Sequence, residues 1–353
     1  VKVDIIIIGA GFAGASTAYH LCQNSNLKVV AVDKEEIPGA HASGKNASLV
    51  LQSVENPVVR SIVAKSRQAF SQNADQIGYE ELGSLQLGSR DALAKLRDPN
   101  LIHSELLDTD QARRLVPLLD GHQFESALWT PSDGVMDISK LLYFYLEGAR
   151  QSGRFELQLN SQVLGIHREG EVCIVETSQG SIECGVIVNA AGAWAPQIAT
   201  LCGIESLPMK SFKRHLFILE GIGCTDSKLP FVWSIADNFY FRPESGGVLF
   251  SVCDEKLEEH QFIPTVEPII EIQLAELIDQ HLPQFEEARQ RRVWSCFRTK
   301  TPHGGFHIEW SEGFSKFLWV AGLGGHGMGA SWEVGRLAAR KILELDHMEI
   351  WKK

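Results

Sequence analysis

At 353 residues, 44% of them hydrophobic and 22% charged, the chain has the composition of a folded globular protein with ample material for a large core. Its 44 acidic against 33 basic side chains leave a net charge of -11, which speaks against nucleic acid or an anionic membrane surface as partner. No apolar run approaches the ~18 residues of a membrane span, and a chain that begins near Val1 is expected to carry no signal peptide and to be cytoplasmic.

The first thirty-odd residues organise the rest. Val3 to Ile8 is an apolar run of strand length, read as a parallel strand buried on both faces. Gly9-Ala10-Gly11-Phe12-Ala13-Gly14 follows, then small and apolar residues at helical spacing through Cys22, and a second apolar run, Val29 to Val32, closed by Asp33. In this strand–loop–helix–strand unit Gly9 permits a tight turn, Gly11 lets the backbone approach a pyrophosphate, and Gly14 lets the helix lie close to the sheet. The helix amino terminus offers its N–H groups to phosphates, and Asp33 stands where a carboxylate accepts hydrogen bonds from ribose hydroxyls. A dinucleotide site is expected here, though the loop alone does not separate FAD from NAD.

The small, polar stretch from Pro38 to Ser48 reads as a second phosphate-facing loop, with Ser43, Lys45 and Asn46 as donors, or as a plain solvated turn. A helix is expected from Pro57 to about Gln72, a strand over Glu80–Leu87, and a short capped helix from Asp110 ending at Pro117. Tyr79, Glu80 and Glu81 are candidates to face a cationic substrate tail. Trp129 to Asp137 reads as turn chemistry, with Asp137 or Ser139 capping a helix through Leu141 and Ala149. Residues 155 to 184 alternate like an antiparallel meander, and Val186 to Asn189 is an apolar strand ending in small residues. Leu207 to Val252 reads as an antiparallel sheet with one face open to a pocket, followed by a helix from Pro268 to about His281 and a strand leading to Thr301-Pro302. Finally the strand Phe317–Ala321 enters a second glycine loop, Gly322 to Gly329, and a helix through Val334 and Ile342. That pattern predicts two helix amino termini available to one extended anionic ligand.

The seven cysteines, at 22, 173, 184, 202, 224, 253 and 296, form no Cys-x-x-Cys pair and have no histidines at metal spacing, so buried thiols and no metal site are expected.

The amino-terminal fingerprint, Ala190 to Trp194, Arg298-Thr299-Lys300-Thr301-Pro302 and Gly324-Gly325-His326-Gly327 stand in the order found in the D-amino acid oxidase superfamily of FAD oxidoreductases, which the chain resembles over essentially its whole length. Pro38 to His41, Lys213-Arg214, Phe239-Tyr240 and Arg242-Pro243 are similar to the bacterial D-arginine dehydrogenase group, with sarcosine and glycine oxidase-type enzymes as neighbours. The resemblance implies an α/β fold: a Rossmann-type FAD-binding domain (1–50, 138–206 and 290–353) interleaved with a mostly antiparallel-sheet substrate domain (51–137 and 207–289).

By the same resemblance Arg298 grips a substrate carboxylate, Tyr240 lies beside it, His41 lies near flavin and substrate amine, and Arg214 is a second arginine of the site. FAD contacts are implied at Gly9, Gly11, Phe12, Ala13, Gly14, Asp33, Lys34, His41, Ala42, Ser43, Lys45, Asn46, Ala47, Val163, Ala191, Gly192, Trp194, Cys296, Arg298, Gly324, Gly325, His326, Gly327 and Met328. Cys296 stands where sarcosine-type oxidases attach the flavin through a thioether, but non-covalent FAD is the favoured expectation. The strand Val248–Ser251 lacks the lysine those oxidases carry, and His303 replaces the aspartate that commonly follows Thr-Pro. The missing lysine favours a dehydrogenase over an oxidase, with a quinone, an electron-transfer protein or O2 as the candidate acceptors, while His303 bears on the local loop geometry. The leading expectation is FAD-dependent oxidation of an amino acid, D-configured and possibly cationic, to an imine that hydrolyses to a keto acid. Beside it stand a sarcosine/glycine-type or 2-hydroxy acid enzyme on the same fold, and an FAD-binding subunit of a larger complex.

Overall fold

The computed structural model describes residues 1–169, 172–222, 226–244, 246–258 and 264–345; Cys224 and the last eight positions of the predicted FAD-binding domain lie outside the described residues. The sequence-predicted βαβ unit is present: strand Lys2–Ile8, helix Phe12–Asn24, strand Val29–Val32. Lys2–Ile8 is the centre of an eight-stranded sheet, paired in parallel with Val29–Val32 on one side and with Gly180–Asn189 on the other. Gly180–Asn189 changes partner along its length. Its first half runs antiparallel to Val172–Thr177, and its end, from Ile187 to Asn189, runs parallel to Phe314–Ala321. Both faces are covered, which is why these strands read as unbroken apolar runs. Helices Phe12–Asn24, Ile138–Arg150 and Ser331–Leu343 pack on one face, and Ala195–Leu201 on the other.

A second, nine-stranded sheet carries the strands Lys210–Glu220, Phe231–Ser234, Phe239–Glu244, Gly247–Ser251 and Arg289–Lys300, together with Ser84–Gly88 and Ser126–Thr130. Its strands alternate. One side carries Phe217, Phe239, Phe241 and Phe250, packed on Phe285 and the helix Ile269–His281. The other side carries Arg214, Leu216, Tyr240 and Cys296, with Arg214 directly opposite Cys296 across two strands. A three-stranded sheet of Leu49–Val50, Gly134–Met136 and Tyr79–Glu80 lies outside these two. The mixed α/β class is as expected. The strand Arg289–Lys300, numbered with the FAD-binding part in the sequence reading, hydrogen-bonds along its length to Lys210–Glu220 of the second sheet.

Three local expectations need correction. The single strand over 80–87 is two strands in different sheets, because Gly83 turns the chain at φ +79, where a Cβ would sit 1.9 Å from the Trp129 ring. The turn over 129–137 narrows to 131–133, since Trp129 and Thr130 finish one strand and Gly134–Met136 forms another; Asp137 does cap the next helix through Lys140 N. The meander over 155–184 loses its first member, because Phe155–Gln158 pairs in parallel with Val29–Val32.

Candidate functional site

A cavity of about 620 Å³ runs from the first glycine loop to the open face of the second sheet. The loop is built for close approach. Gly9 has φ +108, and a Cβ there would meet Ala190 O at 2.5 Å. A Cβ on Gly11 would meet the Ser43 hydroxyl at 2.7 Å. The helix behind it starts with no side-chain cap of its own, and Ser43 from the 38–48 loop accepts a hydrogen bond from Phe12 N at 3.0 Å. The amino terminus of this helix therefore faces the cavity with its dipole's positive end.

Asp33 lies at the end of the second strand, held by Ala10 N at 2.7 Å and Glu35 N at 3.0 Å. Burial raises its pKa, and these two N–H groups oppose the rise. Beside it, Lys34 Nζ stands 3.7 Å from the centre of the Trp194 ring, and His41 packs on that ring at 4.5 Å. This makes an aromatic wall at the ribose end of a dinucleotide path.

At the other end, Arg298 reaches the cavity from Arg289–Lys300, packed so closely under Gly325 that a Cβ there would lie 2.9 Å from its Cζ. Among the described residues its guanidinium has no hydrogen-bond or ion-pair partner. Arg214 is held by Asp254 O at 2.7 Å and Glu255 at 3.0 Å, while its buried Nη1 has no partner among the described residues. Tyr240 is fully buried between these arginines and Trp233, whose ring centre is 4.9 Å away. Burial raises its pKa, with Arg298 and Arg214 pulling the other way. The same order of causes holds the Cys296 thiol above its usual range, so it is protonated at neutral pH. Burial, reinforced by Arg298 and Lys300, lowers the pKa of His326 to about 4, which leaves a neutral imidazole beside two cations.

Of the sequence-predicted site residues, the cavity brings together all but Gly14. Gly14 packs beneath the loop instead, where a Cβ would be 1.9 Å from Gly9 O. His41 lines the cavity at the Asp33 end, its Nε2 2.7 Å from Glu35 Oε1. Asn46 is spent on its own turn, donating to Ser43 O and accepting from Ser48 N. The second helix amino terminus is also not free, since Ser66 accepts from Glu333 N at 3.0 Å and none of Ser331–Leu343 lines the cavity. Glu80 and Glu81 line no part of it; Glu81 accepts from Ser71, and Tyr79 donates to Ser132 O. The sequence reading passed over Gln162, Gln197, Leu216, Trp233 and Thr299, which do line it. Period-two alternation with Arg214 is the signal that could have placed Leu216; Trp233 is placed by standing opposite Tyr240 on the neighbouring strand, and Thr299, next to Arg298, has no such signal.

The glycine loop, the helix start facing the cavity and the carboxylate at the strand end fit a dinucleotide. Among the described residues no helix is long and apolar enough to cross a membrane. The FAD dependent oxidoreductase family model matches residues 4–341. The pyruvate dehydrogenase phosphatase regulatory subunit of Mus musculus is 27% identical over 70% of this chain and 30% of its own length. Sarcosine oxidase subunit beta of Rhizobium meliloti is also 27% identical, over 70% of this chain and 62% of its own. The matched stretch thus spans less than two thirds of these curated relatives. The crystal structure of L-proline dehydrogenase from P. horikoshii superposes with a TM-score of 0.89 at 21% identity, covering 97% of this chain and 94% of the other. The chain belongs to the DAO family of FAD dependent oxidoreductases, and FAD is its cofactor.

Proposed function

We propose that the protein oxidises the C–N bond of a small amino acid, a secondary one such as N-methylglycine or proline before a primary one. The observation that carries this is Arg298: a cation in a cavity wall with no partner among the described residues, flanked by Tyr240 and the free Nη1 of Arg214. A planar fork of donors in that setting suits a carboxylate. Bound FAD supplies the two-electron acceptor for the hydride leaving the carbon that bears the nitrogen. The chain's own part is to hold the carboxylate at Arg298 and Arg214, to exclude water with Trp233 and Leu216, and to offer at His326 a neutral acceptor instead of a third cation. The oxidised substrate, an imine, hydrolyses in water to a carbonyl compound and an amine.

Support for a secondary amino acid comes from the relatives named for sarcosine and L-proline. A cationic side chain loses its basis with Glu80 and Glu81 outside the cavity. We also propose that FAD is held without a covalent bond, because Cys296 is a protonated, buried thiol, and that the two-part domain division holds with 290–300 moved to the second sheet.

The test is anaerobic bleaching of the flavin absorbance by N-methylglycine, proline, D- and L-amino acids and 2-hydroxy acids. Bleaching by N-methylglycine or proline is expected, with the substrate dissociation constant raised more than tenfold in Arg298→Ala and FAD retained. Bleaching by D-amino acids alone would return the substrate to that class. Unchanged binding in Arg298→Ala would overturn the assignment. The regulatory subunit among the relatives favours a second reading, an FAD-binding partner without turnover, and absence of bleaching by every compound would support it.

A further inference from the structure

Behind the second sheet, away from the flavin cavity, three side chains converge that the oxidoreductase reading does not use. His122 follows the short turn Pro117–Leu119, Asp237 sits in the turn between Phe231–Ser234 and Phe239–Glu244, and His281 is the last residue of the helix Ile269–His281. His122 Nε2 is 3.4 Å from Asp237 Oδ2, His281 Nδ1 is 3.8 Å from Asp237 Oδ1, and the three ligand atoms lie within 4.8 Å of one another. We propose that His122, Asp237 and His281 form a binding site for a divalent transition-metal cation, with Zn²⁺ the best match, that ties these three segments together.

His122 is fully buried, and neither ring nitrogen has a hydrogen-bond partner among the described residues. A buried imidazole left in that state costs free energy unless something fills its lone pair. Its ring is fixed by Phe239 at 5.4 Å and His281 at 5.7 Å, and its backbone by a bond from His122 N to Leu119 O and one from Arg113 Nη2 to its carbonyl. Ser234 donates to Asp237 Oδ2 at 2.6 Å, the kind of outer hydrogen bond that orients a ligating carboxylate. Two imidazoles and a carboxylate suit zinc, whose bonds of ~2.0–2.1 Å place tetrahedral ligands roughly 3.4 Å apart. The His122–Asp237 pair already has that spacing. Rotation of His281, with a side chain 31% exposed at a helix end, closes the remainder and leaves an entry path and a fourth position for water. The site has no redox part. Its effect is mechanical, because the Asp237 turn joins the strands that carry Trp233 and Tyr240 into the cavity.

The flavin-loaded protein, stripped with a chelator and dialysed, would be titrated with ZnCl2 by calorimetry, with bound metal counted by mass spectrometry. One ion per chain at micromolar or tighter affinity is expected, together with a higher melting temperature. Asp237→Asn and His281→Ala should each weaken binding at least tenfold while the metal-free melting temperature and flavin spectrum stay put; His103→Ala, at a separate exposed histidine, should leave binding unchanged. Absence of stoichiometric binding, or equal binding by the wild type and both site variants, would overturn the proposal.

Discussion

Arg298, half-buried in the cavity wall, and His20, buried beneath the last helix, show opposite uses of a titratable side chain. Arg298 stands with no hydrogen-bond or ion-pair partner among the described residues, and in the proposed reading a bound carboxylate supplies its counter-charge. Arg298→Lys should recover part of the binding lost in Arg298→Ala and no more, because a point charge does not reproduce a planar fork; full recovery, read from the anaerobic titration, would show that charge alone suffices. His20, on the first helix, gives its charge up. Burial lowers its pKa to about 4, and its ring meets Trp332 edge-on at 5.1 Å. Between about pH 4 and the ordinary value of 6.5 the unfolded chain binds a proton at this site and the folded chain does not. Stability from His20 is therefore present above 6.5 and is lost as pH falls towards 4, by up to about 3 kcal/mol. His20→Phe should flatten the fall in denaturant midpoint between pH 6.5 and 4, and an unchanged slope would contradict the burial argument. Residues such as Gly9, Gly11 and Asp33 were legible because their jobs follow from a local pattern. His41 was less so, since its Glu35 partner is only six residues away but the Trp194 ring it packs on comes from a chain crossing more than 150 residues later. His122, Asp237 and His281 left no mark on sequence spacing either, coming from three separate segments.

Elements were legible in proportion to how local their causes are. The helix Pro57–Gln72 was readable to the residue from its apolar spacing and proline start, and Asn56 caps it through Val58 N and Val59 N. The strands Tyr79–Glu80 and Ser84–Gly88 were not separable, because what splits them is Trp129 packed against Gly83. The same dependence on partners governs the glycine of the last helix. A Cβ on Gly335 would lie 2.5 to 2.6 Å from Ser16 atoms, among them its backbone carbon and oxygen, so no side-chain rotation relieves the clash. Although alanine is the better helix former, Gly335→Ala should destabilise by about 1–3 kcal/mol through overpacking between the first and last helices. Urea denaturation checks this; a stabilised variant would mean that the two helices can part at no cost.

In the whole molecule the flavin cavity is also the joint between the two sheets. Apart from cavity-lining side chains, Arg242 Nε donates to Ala47 O at 2.8 Å and Trp294 Nε1 to Lys45 O at 2.9 Å, so the second sheet grips the loop that faces the first helix. Removing FAD should lower the melting temperature by several degrees and re-addition should restore it in a dose-dependent way, since ligand at 100 times its dissociation constant contributes ~2.7 kcal/mol. Calorimetry of stripped and reloaded protein would show it, and identical transitions would mean the joint holds without the cofactor. The overall architecture was legible because strand periods report burial directly. The domain seam was less so, because a strand's letters do not say which of two sheets it joins.

Lys2–Ile8 lies between Val29–Val32 and Gly180–Asn189, and the latter gains its parallel neighbour only at Phe314–Ala321. During synthesis the strand beneath the turn of the glycine loop emerges about 170 residues after the first strand, and the last parallel strand about 300 residues after it. At 5–20 residues per second the apolar first strand waits for tens of seconds without its full set of neighbours. The nascent chain therefore spends that interval with a sticky, half-built edge, and flavin capture waits for Phe314–Ala321.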